Sequence, residues 1–570
     1  MYSVYFFGLW LAQALVLQPH MVYTRPVSEG TGLAPNTIGL SWRLNTRTPY
    51  DHRTIRPTLA HGPPQSHPVG FTLLKLEQIT RHGSRFPKEA NITKMNRALA
   101  DIAKAFFKGK TPPSDFSSEM QRRFDWILTG PPVIHYSTPY ELNQVGRNEM
   151  KQQGVRLAHR YQAAIQDYLK VQSNQPKENW LPYSSLNPVV PIWQFSDSGA
   201  SRTENSMASF RRGLLEGTPP RSTGGVAAVT AAVEALNSAS LDDLADQLNA
   251  WEFDGASTDS SPVWSERGID PTDQADFDIE VDGTTLSEDE RLLKPYIICP
   301  AWKALVKGPE GMRWIEQRAK VTRDRLKQRF DPYFKELGLP QWAFHKHLVP
   351  LYDICSFQWG EHASGKTAQR APPKSCRVFT NVDLLELEYL DDIQNYAFYS
   401  HARSNRSSEP HVLNHVMAWP LLDNIFTTMR KVIAAYNSGI ATADLPYLGA
   451  YPLGNFYFAH ARIIFFMLAL LELERDPIFE STTADVSASQ IQQRSFTSST
   501  IVPMGANIAF ELWVKDGTQD FYVRVRHNEQ VVVPGYGACS VATGLCAFEQ
   551  LVAEVKALHG GDFKETCHTS

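Results

Sequence analysis

No cysteine precedes residue 299 in this chain of 570 residues. The six that follow, Cys299, Cys355, Cys376, Cys539, Cys546 and Cys567, form no CxxC pair. That leaves no zinc array of the CxxC…HxxxH type, and an even number of cysteines reads as disulfides if the chain is secreted. Charge of either sign is in no excess: a net charge of −4 offers no basic face to nucleic acid. Long apolar runs are scarce as well. The one near the start, Val4 to Leu17, has signal-peptide length and is short for a membrane span. It lacks a basic flank, and no clear small-x-small cleavage site follows it. Residues 1–22 therefore read as a signal peptide, with a retained anchor as the alternative. No second run of membrane length occurs, so no stable membrane insertion is expected once a signal is removed.

What is present is an ordinary globular composition, 42% hydrophobic and 20% charged, in a length that suits one large domain with an insert or two to three smaller ones. Residues 23–70, rich in Pro, Thr, Gly and His, read as an extended arm. Phe71 to Ile79 (FTLLKLEQI) has the content of a buried strand. It runs into Arg81-His82-Gly83-Ser84-Arg85-Phe86-Pro87, where Pro87 bars the strand from continuing. A histidine between two arginines at a strand end is uncomfortable for folding alone. The guanidiniums cannot lose their protons, repel each other and depress the imidazole pKa. An anion resolves the conflict: the arginines clamp phosphate oxygens and a neutral imidazole attacks phosphorus.

Further along, helical spacing marks 91–110 and 141–165, with a strand at 189–196 between them and the next helix. That strand leads through Asp197-Ser198-Gly199-Ala200-Ser201 to Arg202, which opens a helix reaching Leu215. A helix N-terminus prefers an anion to a cation, so Arg202 reads as a ligand-binding residue. The stretch 218–294, first Ala-rich and then Ser/Asp/Gly-rich, suggests helices near 226–236 and 241–249 and a loop to about 287. Helices follow within 301–334 and at 383–398. His411 and His415 have the i, i+4 spacing of paired helical ligands, but neither an HExxH glutamate nor a nearby third ligand accompanies them. Helix packing or capping is their reading, and no metal or other cofactor is expected. Asn91 and Asn405 open glycosylation sequons. A third strand ends at Gly454-Asn455-Phe456-Tyr457-Phe458-Ala459-His460-Ala461-Arg462, and strands close the chain at 521–526 and 530–533.

The RHG-x-R-x-P string at 81–87 resembles the signature of the histidine acid phosphatases, the branch that includes fungal phytases and multiple inositol polyphosphate phosphatases. The resemblance implies a phosphohistidine on His82, with Arg81, Arg85 and Arg202 holding the phosphoryl group and His460 donating to it. The LNxxGxxE opening at Leu142 to Glu149 is similar to the helix after the family's phosphate loop. It also implies an α/β fold of phosphoglycerate-mutase-like type: a mixed, mainly parallel sheet flanked by helices, with a smaller helical insert. The α/β part would be 71–90, 135–217 and 410–570, with the insert at 218–409. By the same resemblance Cys299 pairs with Cys567, Cys355 with Cys376 and Cys539 with Cys546. A small anionic phosphate ester such as an inositol polyphosphate is the implied substrate, and the secretory lumen or exterior the implied location; oligomeric state stays open.

One residue departs from the pattern. The inositol polyphosphate branch carries His-Ala-Glu where this chain has His460-Ala461-Arg462, and an arginine cannot act as a general acid. Three readings follow: a slow phosphatase restricted to good leaving groups, a proton donor elsewhere such as Glu89, or a polyphosphate binder without turnover. Lys88 and Arg462 are expected to add positive charge at the rim of the pocket.

Overall fold

The structure is a computed structural model that describes residues 44–50, 67–108, 117–128, 133–166, 193–218, 288–362, 373–401, 413–439, 452–481, 486–559 and 563–568. The apolar run at 4–17, most of the arm, the helices expected near 226–236 and 241–249, His411 and Asn405 lie outside the described residues.

In chain order the elements that position the site are β1 (Phe71–Arg81), α1 (Glu89–Lys108), α2 (Ser118–Leu128), α3 (Gln144–Arg160), β2 (Trp193–Asp197) and α4 (Ser201–Gly217). Then come α5 (Pro309–Glu336), α6 (Val349–His362), α7 (Asn381–Tyr399), α8 (Leu413–Asn437), β3 (Gly454–Ala459) and α9 (Ala461–Leu470). The chain closes with β4 (Asn507–Lys515), β5 (Phe521–His527), β6 (Gln530–Val532), β7 (Leu545–Ala547) and α10 (Phe548–His559).

The strands form one sheet in the order β2-β3-β1-β4-β5-β6, with β7 also on β5. It is mixed, as expected, but its parallel part is confined to β2, β3 and β1. The pairs β1–β4, β4–β5, β5–β6 and β5–β7 are antiparallel, so the emphasis on parallel pairing does not hold. The reason is local: β4, β5 and β6 are joined by turns at 516–520 and 528–529, and connections that short permit only antiparallel neighbours. β1 sits in the middle and is buried from Leu73 onward, Lys75, Glu77 and Gln78 included, with Lys75 Nζ 3.6 Å from Glu77 Oε1.

Helices cover both faces. On one side α3 and α4 pack on Leu76, Phe456, Phe458 and Trp513. These two helices touch backbone to backbone, since a Cβ on Gly213 would lie 1.8 Å from the Lys151 carbonyl oxygen. On the other side α7, α8, α9 and α10 bury Ile79, Tyr457, Ile508 and Val525 in the largest apolar cluster. A separate cluster joins α1 and α2 to α5, α6 and the start of α7, so the helical layer draws on two distant stretches of chain. All three cysteine pairs expected from resemblance are disulfides here: Cys299–Cys567, Cys355–Cys376 and Cys539–Cys546. Among the described residues no helix is long and apolar enough to cross a membrane.

Candidate active site

Three parallel strands end level with one another. In register, Thr80 of β1 and Asp197 of β2 both face Phe458 of β3. The first residue past each strand continues the alignment: the His82 N–H donates to Ala459 O at 3.0 Å, and the Ser198 N–H to Phe458 O at 3.0 Å. His82, Ser198 and His460 therefore emerge together at the carboxyl edge of the parallel half, the edge where open α/β sheets bind ligands.

The loop after β1 is clamped from behind. Asn143, the N-cap of α3, takes the Gly146 N–H at 2.9 Å and donates its own N–H to Ser84 O at 3.0 Å. Glu149 accepts the Ser84 N–H at 2.7 Å and the Ser84 hydroxyl at 2.9 Å, and Ser206 Oγ accepts the Gly83 N–H at 3.0 Å. A Cβ on Gly146 would lie 2.1 Å from Ser84 O, so only glycine admits the loop this close to the helix. This is the physical content of the LNxxGxxE pattern: cap, close approach and carboxylate clamp at 143, 146 and 149. Burial pushes the Glu149 carboxyl up to about 7, against the opposing hydrogen bonds from Ser84 and Tyr50 and the nearby Arg81 charge.

Within the loop, His82 Nδ1 lies 2.9 Å from Gly83 O. A carbonyl oxygen only accepts, so Nδ1 carries the proton, and in the neutral ring the lone pair is left on Nε2. The His82 and His460 ring centroids are 5.6 Å apart. Arg202 Nη2 lies 3.4 Å from Nδ1 and 3.5 Å from Nε2 of His460, and Ser198 Oγ is 3.2 Å from that Nε2. Arg81 Nη1 donates to Val502 O at 2.9 Å and also to Thr46 O.

Tyr140 organises the remaining cations. Its ring has Arg202 Cζ at 3.9 Å, Arg85 Cζ at 4.6 Å and Lys88 Nζ at 4.8 Å. Its backbone is left-handed, with φ 72°, a conformation unfavourable for a bulky residue and concentrated at functional sites. Arg85 also approaches Phe357 at 5.8 Å, as Arg47 does at 5.3 Å, and Arg47 pairs with Asp353 at 2.7 Å. Cations gathered this closely repel one another until an anion shares them.

The structure thus brings His82, Arg85, Arg202 and His460 together through the two imidazoles and the Tyr140 ring, with Lys88 half-buried beside them, while Arg81, next to His82 in the chain, donates to the Thr46 and Val502 carbonyls. Arg462 is not at a rim: it is 3% exposed, and its guanidinium lies 4.6 Å over the Tyr296 ring and 5.7 Å from that of Tyr399. Its place at the start of α9 turns it among aromatic residues of the core. Glu89 is exposed in the first turn of α1, and Asn91 is half-buried in the same helix. Sequence reasoning missed Tyr140, Arg47 and Ser198. A lone tyrosine or arginine outside a motif carries no signal, although Ser198 lay inside the turn already singled out.

Two strand-edge histidines beside a cluster of guanidiniums, on a mixed sheet between helical layers, define the class: an α/β protein with its candidate site at the carboxyl edge of the parallel strands. The chain belongs to branch 2 of the histidine phosphatase superfamily, whose family model matches residues 72–528. Solved structures of similar fold include the phytase from D. castellii, 13% identical, TM-score 0.55, covering 93% of this chain and 88% of that one. Another is the apo Bifidobacterium longum multiple inositol polyphosphate phosphatase, 15% identical, TM-score 0.51, covering 91% and 98%. The same enzyme in complex with phosphate is 16% identical, with TM-score 0.50 and coverage of 91% and 99%. No curated protein matches the chain in sequence. Family membership supports a phosphatase.

Proposed function

We propose that the protein hydrolyses phosphomonoesters through a phosphohistidine on His82, and that its substrates are highly anionic esters of the inositol polyphosphate class. The observation that carries this reading is the Nδ1–H to Gly83 O hydrogen bond, which leaves Nε2 of the neutral ring as the nucleophile. Nε2 attacks phosphorus as the ester oxygen leaves with the bonding pair and takes a proton from solvent water. Arg81, Arg85, Arg202 and His460 stabilise the charge spread over the phosphoryl oxygens. Water then attacks the phosphohistidine, releasing phosphate and the free imidazole. Lys88 extends the positive charge beyond one phosphate, which suits a polyphosphorylated ring. The phosphate-bound neighbour of the same fold supports the choice of ligand class. Three disulfides fit an oxidising compartment, so we place the protein in the secretory lumen or outside the cell.

Arg462 favours a second reading, a polyphosphate binder without turnover, because it stands where the family's proton donor is expected. An aryl phosphate separates the two, since its leaving group needs no proton. The enzyme cleaves it and His82→Ala abolishes the cleavage; a wild-type chain that binds inositol hexakisphosphate yet never releases phosphate from the aryl ester is the binder.

A further inference from the structure

At the far end of α9 from His460, about 15 Å along a ten-residue helix, three potential ligands meet. His401 follows the end of α7, His415 lies in the first turn of α8, and Glu472 follows α9. One ligand atom from each lies within 4.8 Å of the others. The geometry points to a divalent-metal site here, separate from the phosphate pocket, with zinc as the ion that suits two imidazoles and a carboxylate.

The donors are prepared for an ion. His401 Nε2 lies 2.7 Å from Leu473 O. The carbonyl can only accept, so the ring proton sits on Nε2 and the lone pair on Nδ1, the tautomer and outer hydrogen bond typical of a metal-bound histidine. His401 is 3% exposed, and among the described residues its Nδ1 has no hydrogen-bond partner. His415 is 2% exposed, and its ring stands at 81° to that of His401 with centroids 6.1 Å apart.

Glu472 is the informative residue. α9 closes in a Schellman turn, with the Leu473 N–H donating to Leu468 O at 2.9 Å and the Glu472 N–H to Ala469 O at 3.0 Å. The left-handed position of such a turn usually holds glycine, yet here it holds a glutamate at φ 54°. The strained backbone delivers a carboxylate to two buried histidines. Arg475 Nε holds Oε2 at 2.5 Å, while Oε1 has no hydrogen-bond partner among the described residues. A tetrahedral zinc with bonds of about 2.0–2.1 Å needs ligand atoms about 3.3 Å apart, so modest side-chain rotation closes the set. Three protein ligands leave the fourth position to water. The HxxxH spacing at His411 and His415 reads as packing or capping, and the grouping proposed here is not visible in it because His401 and Glu472 come from separate elements.

The test uses the full secreted chain, dialysed free of metal and titrated with Zn²⁺, then with Co²⁺ as a spectroscopic probe. One zinc per chain by elemental analysis, visible d–d bands with Co²⁺, and a Tm that falls several degrees with chelator and returns with zinc are expected. Glu472→Gly keeps the fold safe, because glycine suits the turn. It should abolish stoichiometric zinc and chelator sensitivity while aryl phosphate turnover persists. A wild-type chain that takes up no zinc and shows no Co²⁺ bands overturns the site, as does a Glu472→Gly chain that retains the metal. Phosphatase activity is read separately, so neither result bears on His82.

Discussion

Glu149 holds Ser84 twice, through its backbone N–H at 2.7 Å and its hydroxyl at 2.9 Å, so a buried carboxyl lies directly behind the loop that carries His82. Burial raises its pKa from 4.5 to about 7. The folded state therefore favours the neutral form; that stabilising contribution is complete below about pH 4.5 and is lost as pH rises through about 7. Ionisation also sets a negative charge against the bound phosphate dianion. The inhibition constant for inorganic phosphate should accordingly rise above pH 7, and the rise should flatten in Glu149→Gln. Losing one acceptor to Ser84 should lower kcat/KM at pH 5 by about 10-fold. An unchanged pH slope in the variant would remove Glu149 from the explanation.

Gly146→Ala tests the seat of the same loop. The new methyl would meet Ser84 O at 2.1 Å and Ser84 N at 2.6 Å, both backbone atoms that cannot swing aside. Overpacking of this kind costs about 1–3 kcal/mol. A shift of about 1 Å in a nucleophile costs about 100-fold in rate. Turnover of an aryl phosphate should fall by roughly that factor while the protein remains folded. Gly360→Ala is the control, since a Cβ there meets nothing within 4 Å, and it should leave activity intact.

These two residues also show what the sequence made legible. Asn143, Gly146 and Glu149 could be singled out as a string, but their meaning required knowing that Ser84 comes back onto the helix. The convergence of His82, Arg202 and His460 followed from three strand ends, each with its own motif. Tyr140 could not be read, because its importance lies in three cations from different elements and in a backbone conformation no local pattern announces. β4 escaped notice because its apolar run lacks alternation, being buried on both faces by the helices around it. Arg462 was conspicuous as a residue type, but its aromatic surroundings depend on Tyr296 and Tyr399, far away in sequence.

Tyr140 acts through its ring face, so Tyr140→Phe should be close to wild type. Tyr140→Ala removes the platform shared by Arg202, Arg85 and Lys88. Cation–π contacts of this kind are worth about 1–2 kcal/mol in a desolvated setting. kcat/KM on a polyphosphorylated ester should fall by about 10-fold, more than on a small aryl phosphate that needs fewer of the cations. Steady-state kinetics on both substrates checks this, and an equal loss in Tyr140→Phe would assign the effect to the hydroxyl instead.

Stability at acid pH should depend on Glu511. Its carboxylate takes Arg524 Nε at 2.6 Å and Arg526 Nε at 2.5 Å, with the Tyr161 hydroxyl also donating. Burial alone would raise its pKa, but the two guanidiniums prevail and hold it at about 2. The depressed value means that the stabilisation is present above about pH 4.5 and is lost as pH falls toward 2. Glu511→Gln leaves two buried guanidiniums without their counter-charge and should cost about 3–5 kcal/mol. Urea unfolding at pH 7 and pH 3 should show a gap between wild type and variant that narrows at the lower pH.

Arg462→Glu restores the family's residue type at the second position of α9. Glutamate is shorter than arginine and lies two residues after His460, so its carboxyl need not follow the guanidinium to Tyr296 and Tyr399, and at this buried position it would be driven toward its neutral, proton-donating form. On an alkyl phosphate, whose leaving oxygen must be protonated, the variant should turn over at least 10-fold faster than wild type. On an aryl phosphate the two should be alike. A variant that folds, binds phosphate and gains nothing on the alkyl ester would show that another group already supplies the proton. Such a result would shift the search to carboxylates bordering the Tyr140 platform. Among them, Glu141 accepts a hydrogen bond from the Ser201 hydroxyl at 2.7 Å, at the mouth of α4 beside Arg202.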